Sequence, residues 1–287
     1  MKYEFIRSYG GEVSVSELCW VLSVSRGGYY DLLIRGESQR SRRDRELIER
    51  IREVHQESRQ AYGAVKTWLE LKARGIACGK HRVARLRRQA GIEAKRKRRF
   101  RITVEHHYTA PAAPNLVKRQ FHASQPNRIW VGDVTFIRTR GGFLHLAVLL
   151  DLYSRRVVGW AMGERPNLPL AMNALNMALL QRLPQAGLVH HTDQGPLYSA
   201  HAYRERLSAS GLSPSMSAKG NAYDNAVAES FFSNLKNELV HHCDFASREA
   251  ARSAIFDYIE IFYNRQRLHQ TLGYVSPTLF EKMKVAC

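Results

Sequence analysis

Three runs, residues 129–138, 143–150 and 156–161, carry a strand pattern of short length rich in β-branched, aromatic and other apolar residues, and glycine-rich or polar turns separate them. Three such strands in succession predict an antiparallel meander. The pattern then changes. A helical run at 168–183 is followed by a short strand at 188–191, a helix at 200–210, another short strand at 212–216, and helices at about 224–239 and 247–264. Strands reached through helical connections pair in parallel, so this order predicts a mixed five-stranded sheet flanked by helices.

Upstream of residue 128 the chain has a different character. Ser14 and Glu17 fit a capping box, Leu18, Val21 and Leu22 share a face, and Ser25 can cap a second helix carrying Tyr29 and Tyr30. Residues 1–38 are therefore read as a helical segment, either helix-turn-helix-like or a plain structural hairpin. Residues 39–105 form a second helical block. Leu47, Ile51 and Val54, then Val65, Trp68 and Leu69, then Val83 and Leu86 recur at helical spacing and predict a three-helix module. Residues 106–127, with Pro111, Pro114 and Pro126, read as an extended linker. The sheet domain is placed at 128–280 and a short tail at 281–287.

The charge is concentrated in the helical block. The chain carries a net charge of +18, and residues 35–101 hold 22 of its 44 basic residues against 8 of its 26 acidic ones. A surplus of this density repels itself unless a polyanion neutralises it, which points to double-stranded DNA, although a solvated basic face is the plainer alternative. In the third helix Arg82, Arg85 and Arg88 recur every three residues beside the apolar pair, leaving one face for a groove or phosphates. Lys95, Arg96, Lys97, Arg98 and Arg99 are too dense to pack and are placed in an arm against the DNA backbone.

Other classes receive little support. No apolar run is long enough to span a bilayer and the first ten residues do not form a secretion signal, so the expected location is cytoplasmic, on the bacterial nucleoid, with no membrane partner. Cys19, Cys78, Cys243 and Cys287 lie far apart and form no CxxC pair, which suggests neither a disulfide framework nor a cysteine-based zinc site. The paired His106 and His107 have no matching cysteine pair either.

Three acids stand out against this background. Asp133 lies in the middle of the strand WVGDVTFI, on the face shared by Val131 and Thr135 and opposite Trp130, Val134 and Phe136. A carboxylate there needs a cation or a basic partner. Asp193 follows a short apolar strand and precedes a glycine loop, at the kind of strand end where side chains converge on a cleft. Glu229 lies in the helix DNAVAESFFSNLKNEL, about a quarter turn from the apolar stripe of Ala228, Phe232, Leu235 and Leu239, with Asn225 and Lys236 on nearly the same side. Read singly, each has a bland role: a salt bridge, a turn, a surface acid. Their joint spacing, with 59 and 35 residues between consecutive acids, changes the weighing.

That spacing resembles the DDE transposases and retroviral integrases, and more closely the insertion-sequence-three family of bacterial transposases. The matching stretches run almost the length of the chain: VSRGGYY, WVGDVTFI, DLYSRRVVGWAM, HTDQGPLYSA, GNAYDNAVAESFFSNLKNEL and YNRQRLHQTLGYVSPTLFE. The resemblance implies a ribonuclease-H-like catalytic core. It also implies that Asp133, Asp193 and Glu229 hold two magnesium ions, with manganese as a substitute, for cleavage at insertion-sequence ends and strand transfer. Asn225, Lys236, Arg267 and His269 are expected DNA contacts near that site. Tyr198, Tyr223 and Tyr263 are read as packing or DNA-contact residues, since two-metal chemistry needs no covalent protein intermediate. His190 and His191 are read as strand-end packing, Asp151 as a turn residue and Asp224 as a helix cap. The chain departs from the family at Pro196 and Leu197, where polar residues are usual. It shows no sustained heptad repeat, so a fused or separate upstream-frame (OrfA) partner is expected, together with a homo-oligomer on DNA. The competing functions are a non-catalytic DNA-binding regulator of a fused transposase and, from a third class, a ribonuclease H.

Overall fold

A computed structural model describes residues 2–35, 38–95, 113–118, 120–217 and 225–285. Arg96, Lys97, Arg98 and Arg99, His106 and His107, and Tyr223 and Asp224 lie outside the described residues.

The amino-terminal unit holds three helices, α1 (Lys2–Tyr9), α2 (Val15–Val21) and α3 (Arg26–Arg35). Ser14 Oγ accepts the Glu17 amide at 3.3 Å and Ser25 Oγ the Gly28 amide at 3.0 Å, so both expected caps form. Helix α1 has no such cap signal in its sequence. Its Ile6 packs with Cys19 and Tyr29 in a small core, which gives two short helices a third surface to bury against.

The basic block folds as α4 (Gln39–Glu57), α5 (Ala64–Ala73) and α6 (Lys80–Gln89). Leu47, Ile51, Val54, Val83 and Leu86 are buried, as the helical spacing requires, whereas in α5 Val65, Trp68 and Leu69 are only partly buried and Thr67 and Leu71 face the interior instead. Arg87 is buried with them. It follows Val83 by four residues and so falls on the inner face, where its guanidinium donates to Thr67 Oγ1 at 2.9 Å and to the Tyr62 carbonyl at 3.0 Å. Those acceptors are what make a buried guanidinium tolerable.

The second domain is built on β1 (Ile129–Thr139), β2 (Gly142–Asp151), β3 (Val157–Gly163), β4 (Val189–Thr192) and β5 (Ser213–Met216), in the order β3-β2-β1-β4-β5. The first three strands pair antiparallel, whereas β1, β4 and β5 run parallel. Helices α7 (Leu168–Arg182), α8 (Pro196–Ser199) and α9 (His201–Ala209) make the connections, and α10 (Ala226–Glu238) and α11 (Arg248–Phe256) follow β5. A π-helical stretch, Asp257–Gln266, extends α11, and α12 (Pro277–Val285) ends the described chain.

The sheet is covered on both faces. Along β2, Leu144, Leu146, Val148 and Leu150 enter the core shared with α10 and α11, while Ala147 and Leu149 enter the core shared with α7 and α9. Two-sided burial explains why this strand reads as a nearly continuous apolar run. At Gly159 a Cβ atom would lie 2.3 Å from the Ala174 carbonyl, so β3 and α7 meet at a distance only glycine permits.

The basic module is docked on the sheet domain. Tyr62 Oη donates to the Gln266 carbonyl at 3.2 Å and accepts the Leu268 amide at 2.9 Å. Lys95 Nζ donates to the Glu238 carbonyl at 3.0 Å, and the module's apolar residues join the core around α10 and α11. The described part of the expected linker is also tied down: the Leu116 amide donates to Ser215 Oγ, and Arg155 donates to the Phe121 carbonyl. The carboxy-terminal helix corrects the expected tail at 281–287, because Glu281 holds Arg182 at 2.9 Å, Arg156 at 2.9 Å and Ser154 at 2.7 Å. Among the described residues, no helix is long and apolar enough to cross a membrane.

Candidate active site

Strands β1 and β4 are paired through Ile129↔Val189, Trp130↔His190 and Val131↔His191. Two further steps of that register bring Asp133 opposite Asp193, just beyond the end of β4. Gly132 makes this approach possible, since a Cβ there would lie 3.0 Å from His190 Cε1 and 3.3 Å from Thr192 Cγ2. The carboxyl ends of parallel strands open a crevice in sheets of this kind, and both acids stand at its edge.

Asp133 Oδ1 accepts the amide of Val134 at 2.7 Å. Although its side chain keeps partial contact with solvent, burial pushes the carboxyl up from 3.8 to about 8. The charges of Asp193 and Glu229 act in the same direction, while the Val134 amide and Lys236 act against them. Asp193 is exposed, and its Oδ1 accepts the Gly195 amide at 3.0 Å. A Cβ on Gly195 would lie 2.9 Å from that oxygen, so a side chain there would displace the Asp193 carboxylate from its present position. Pro196 then occupies the start of α8, and Leu197 packs against the α7–α9 core. Leu197 thus anchors the loop to the core, while Pro196 stays exposed at the helix start.

Glu229 is in the first turn of α10, exposed beside a face buried through Ala228, Phe231, Phe232 and Leu235. Partial burial raises its carboxyl. Asn225, just before α10, corrects the expected DNA contact: it is buried, and Nδ2 reaches the Gly132 carbonyl at 3.5 Å. The start of the Glu229 helix is thereby held beside Asp133. Lys236 is half-buried with Nζ 5.2 Å from the Phe136 ring; burial lowers its ammonium, and the Asp133 charge opposes that shift.

Behind the acids lies a buried aromatic wall. His190 Nε2 is 2.9 Å from Tyr203 Oη, and burial lowers the imidazole to about 3, which keeps it neutral. Tyr198 packs edge-on to Tyr203, and its hydroxyl is raised by burial first, then by Tyr203, Asp133 and Asp193. His191 Nδ1 meets Ser215 Oγ at 2.8 Å. Both histidines are buried packing residues, as expected, and Tyr198, read as either a packing or a DNA-contact residue, is buried with them.

Two expected DNA contacts are not on the surface. Arg267 is buried, donating to the two oxygens of Glu238 at 2.7 to 3.1 Å, with Tyr258 completing the carboxylate's shell at 2.7 Å. His269 is buried edge-on against Tyr263 at 4.7 Å, and burial with the nearby Arg267 charge drives its pKa down. A buried cation satisfied by a buried acid has no fork left for phosphate. Lys95 is partly buried and gives one N–H to the Glu238 backbone carbonyl, which leaves its other donors open. Arg82 and Arg85 do line the module surface, each 2.7 Å from Asp44, and Arg88 is exposed. The sequence reading passed over Glu238 and Tyr62. Glu238 follows Leu235 by three residues on the buried side of α10, which is the one local sign that this acid needs a partner.

The donor set suits a hard divalent ion. Among the described residues, no three His, Cys, Asp or Glu side chains stand close enough to enclose an ion by themselves. Magnesium takes one or two carboxylates and completes its shell with water and substrate phosphate. Asp133, raised by burial and then by the charge of Asp193 opposite it, meets that requirement, because a cation would offset both the lost hydration and the repulsion.

The chain resembles known proteins along its whole length. Residues 123–222 and 229–285 each match the model of an integrase core domain, and residues 42–100 match an HTH-like domain. The chain is 44% identical to the insertion element IS600 uncharacterized 31 kDa protein of Shigella sonnei, over 92% of this chain and 97% of that protein. It is 40% identical to the transposase InsF for insertion sequence IS3A of Escherichia coli (strain K12), over the whole of both chains. Among solved structures, the HTLV-2 integrase catalytic core domain in complex with magnesium is similar at 18% identity and a TM-score of 0.42, covering 55% of this chain and 98% of that one. With full-length identity at this level and the integrase-core sheet in place, the chain belongs to the IS3 family of transposases.

Proposed function

We propose that Asp133, Asp193 and Glu229 are the divalent-metal site at which this transposase cleaves element ends and joins the freed 3′-hydroxyl to target DNA. The observation that carries the reading is the parallel β1–β4 register that brings Asp133 opposite Asp193, where burial and then the charges of Asp193 and Glu229 raise the Asp133 carboxyl. Asp133, Asp193 and Glu229 would hold two magnesium ions, or manganese in their place, whose charge would favour attack by water in cleavage and by the 3′-hydroxyl in joining, with the displaced oxygen leaving in line.

The chain's own residues divide the remaining work. Asp133 and Asp193 present carboxylates from neighbouring parallel strands, so their separation is set by the sheet. Glu229 approaches from α10, whose start Asn225 fixes to the Gly132 carbonyl. Lys236, two turns along the same helix, balances the negative charge at Asp133 and can meet a phosphate oxygen at the mouth of the cleft. The basic module positions duplex DNA. Joining two ends requires at least two copies on DNA, and an upstream-frame partner is the proposed source of further end recognition.

A strand-joining assay with terminal-repeat duplexes tests this directly. Joining is expected with magnesium or manganese and none with a chelator, and Asp133→Asn is expected to lower the rate about a hundredfold or more. Metal-dependent end binding with no joining by the wild-type chain would leave the non-catalytic regulator instead.

A further inference from the structure

The amino-terminal turns of α4 and α6 converge on a cleft of about 680 Å³ lined by Gln39, Arg40, Arg43, His81, Arg82 and Arg85. Four of the six lining residues are arginines. An adjoining recess of about 390 Å³ shares Arg40 and Arg85 and has Asp44 in its wall.

Both helices begin against their own dipole. The positive end of a helix favours acids, yet neither first turn contains one. Helix α4 opens with Arg40 and Arg42, and α6 with Lys80, His81 and Arg82 behind Gly79, which makes no side-chain cap bond. Two positive helix ends and four guanidinium groups thus face one cavity, where Asp44 offsets a single charge.

Asp44 also fixes which contacts are open to these arginines. Its Oδ1 takes Arg82 at 2.7 Å and its Oδ2 takes Arg85 at 2.7 Å, so both forks are drawn back against α4 while staying partly exposed to the cleft. Reading a guanine edge takes a fork extended into the major groove. A fork already holding a carboxylate keeps free N–H groups for an oxygen directly in front of it. Arg40 and Arg43 are exposed on the facing wall.

We infer that the α4–α6 cleft is a clamp for the phosphodiester backbone of duplex DNA, in which Arg40, Arg43, Arg82 and Arg85 supply affinity and register but no choice of sequence. The inference rests on the reading of the chain as a DNA-acting transposase and is independent of its metal chemistry. Phosphate contacts position a protein, whereas base contacts specify the sequence, so the two predict different responses to mutation.

The test measures equilibrium binding of the full chain, without divalent metal, to an element-end duplex and to a scrambled duplex of equal length across a salt series. Arg40→Gln with Arg43→Gln leaves the module core untouched, and Arg82→Gln with Arg85→Gln examines the opposite wall. Each pair is expected to weaken both duplexes by the same factor and to lower the slope of log affinity against log salt by about 1.8, roughly 0.9 per contact. Loss confined to the element-end duplex would show base reading and overturn the clamp. Unchanged binding and slope in both pairs would show a solvated face and overturn it too. A chain that binds as expected but never joins strands would remove the proposed chemistry and leave the clamp standing.

Discussion

Asp133 and Asp193 face each other across β1 and β4, two residues beyond the Val131↔His191 pair. Neither strand alone makes a site. The parallel register sets both carboxylates at one sheet end, where burial first and the Asp193 charge second raise the Asp133 carboxyl.

That relationship has a thermodynamic signature. The Asp133 carboxyl rises from 3.8 to about 8, so the folded chain keeps a proton that the unfolded chain has already released. Without metal, unfolding free energy therefore falls as pH rises from about 4 to about 8, by on the order of a few kcal/mol. Denaturant titrations of wild type and Asp133→Asn should diverge across that window, with Asn gaining relative stability as pH increases. Parallel curves would mean that Asp133 is not held protonated.

Gly132 tests the strand spacing. A Cβ at this position would meet His190 and Thr192 at 3.0 and 3.3 Å, so Gly132→Ala should push β1 away from β4 and cost about 1–3 kcal/mol. Joining activity should fall by more than the loss of folded protein accounts for. Full activity per folded molecule would show that the Asp133 to Asp193 distance is not critical.

Arg267 should behave as a structural cation. Arg267→Ala strands the Glu238 carboxylate in the interior and is expected to cost about 3–5 kcal/mol in the absence of DNA, and replacing both partners with apolar residues should recover much of it. Unchanged stability with reduced DNA affinity would restore the surface role that the sequence suggested.

Tyr62 connects module to sheet domain. Tyr62→Phe keeps the ring but removes the hydroxyl that serves Gln266 and Leu268, with an expected loss of about 1–2 kcal/mol. The loss should show in hydrogen exchange as earlier opening of α4–α6 than of the sheet. Uniform protection in both variants would mean the docking does not depend on this bond.

The features legible in the sequence are those that repeat locally. Residues 129–161 announce three strands by short apolar, β-branched and aromatic runs between turns, Ser14 and Ser25 mark helix starts, and the spacing of Asp133, Asp193 and Glu229 carried the resemblance to a shared site. The rest depends on partners distant along the chain. Arg267 looks like a phosphate contact until Glu238, 29 residues earlier, is placed against it. Lys95 resembles its basic neighbours, but its acceptor is 143 residues away. Glu281 reads as part of a tail because Arg182 and Arg156, which hold it, lie about a hundred residues upstream. Charge is visible in a sequence, but which charges are buried together is not.

The most direct measurement is metal dependence in a ligand-swapped chain. Asp193→Cys, compared with wild type in strand joining, replaces a hard oxygen by a softer sulfur that magnesium binds poorly and manganese accepts more readily. The expected result is no joining with magnesium, partial recovery with manganese, and no recovery with either ion in Asp193→Asn. Joining by Asp193→Asn at the wild-type rate with magnesium would contradict the assignment of Asp193, and with it the metal site.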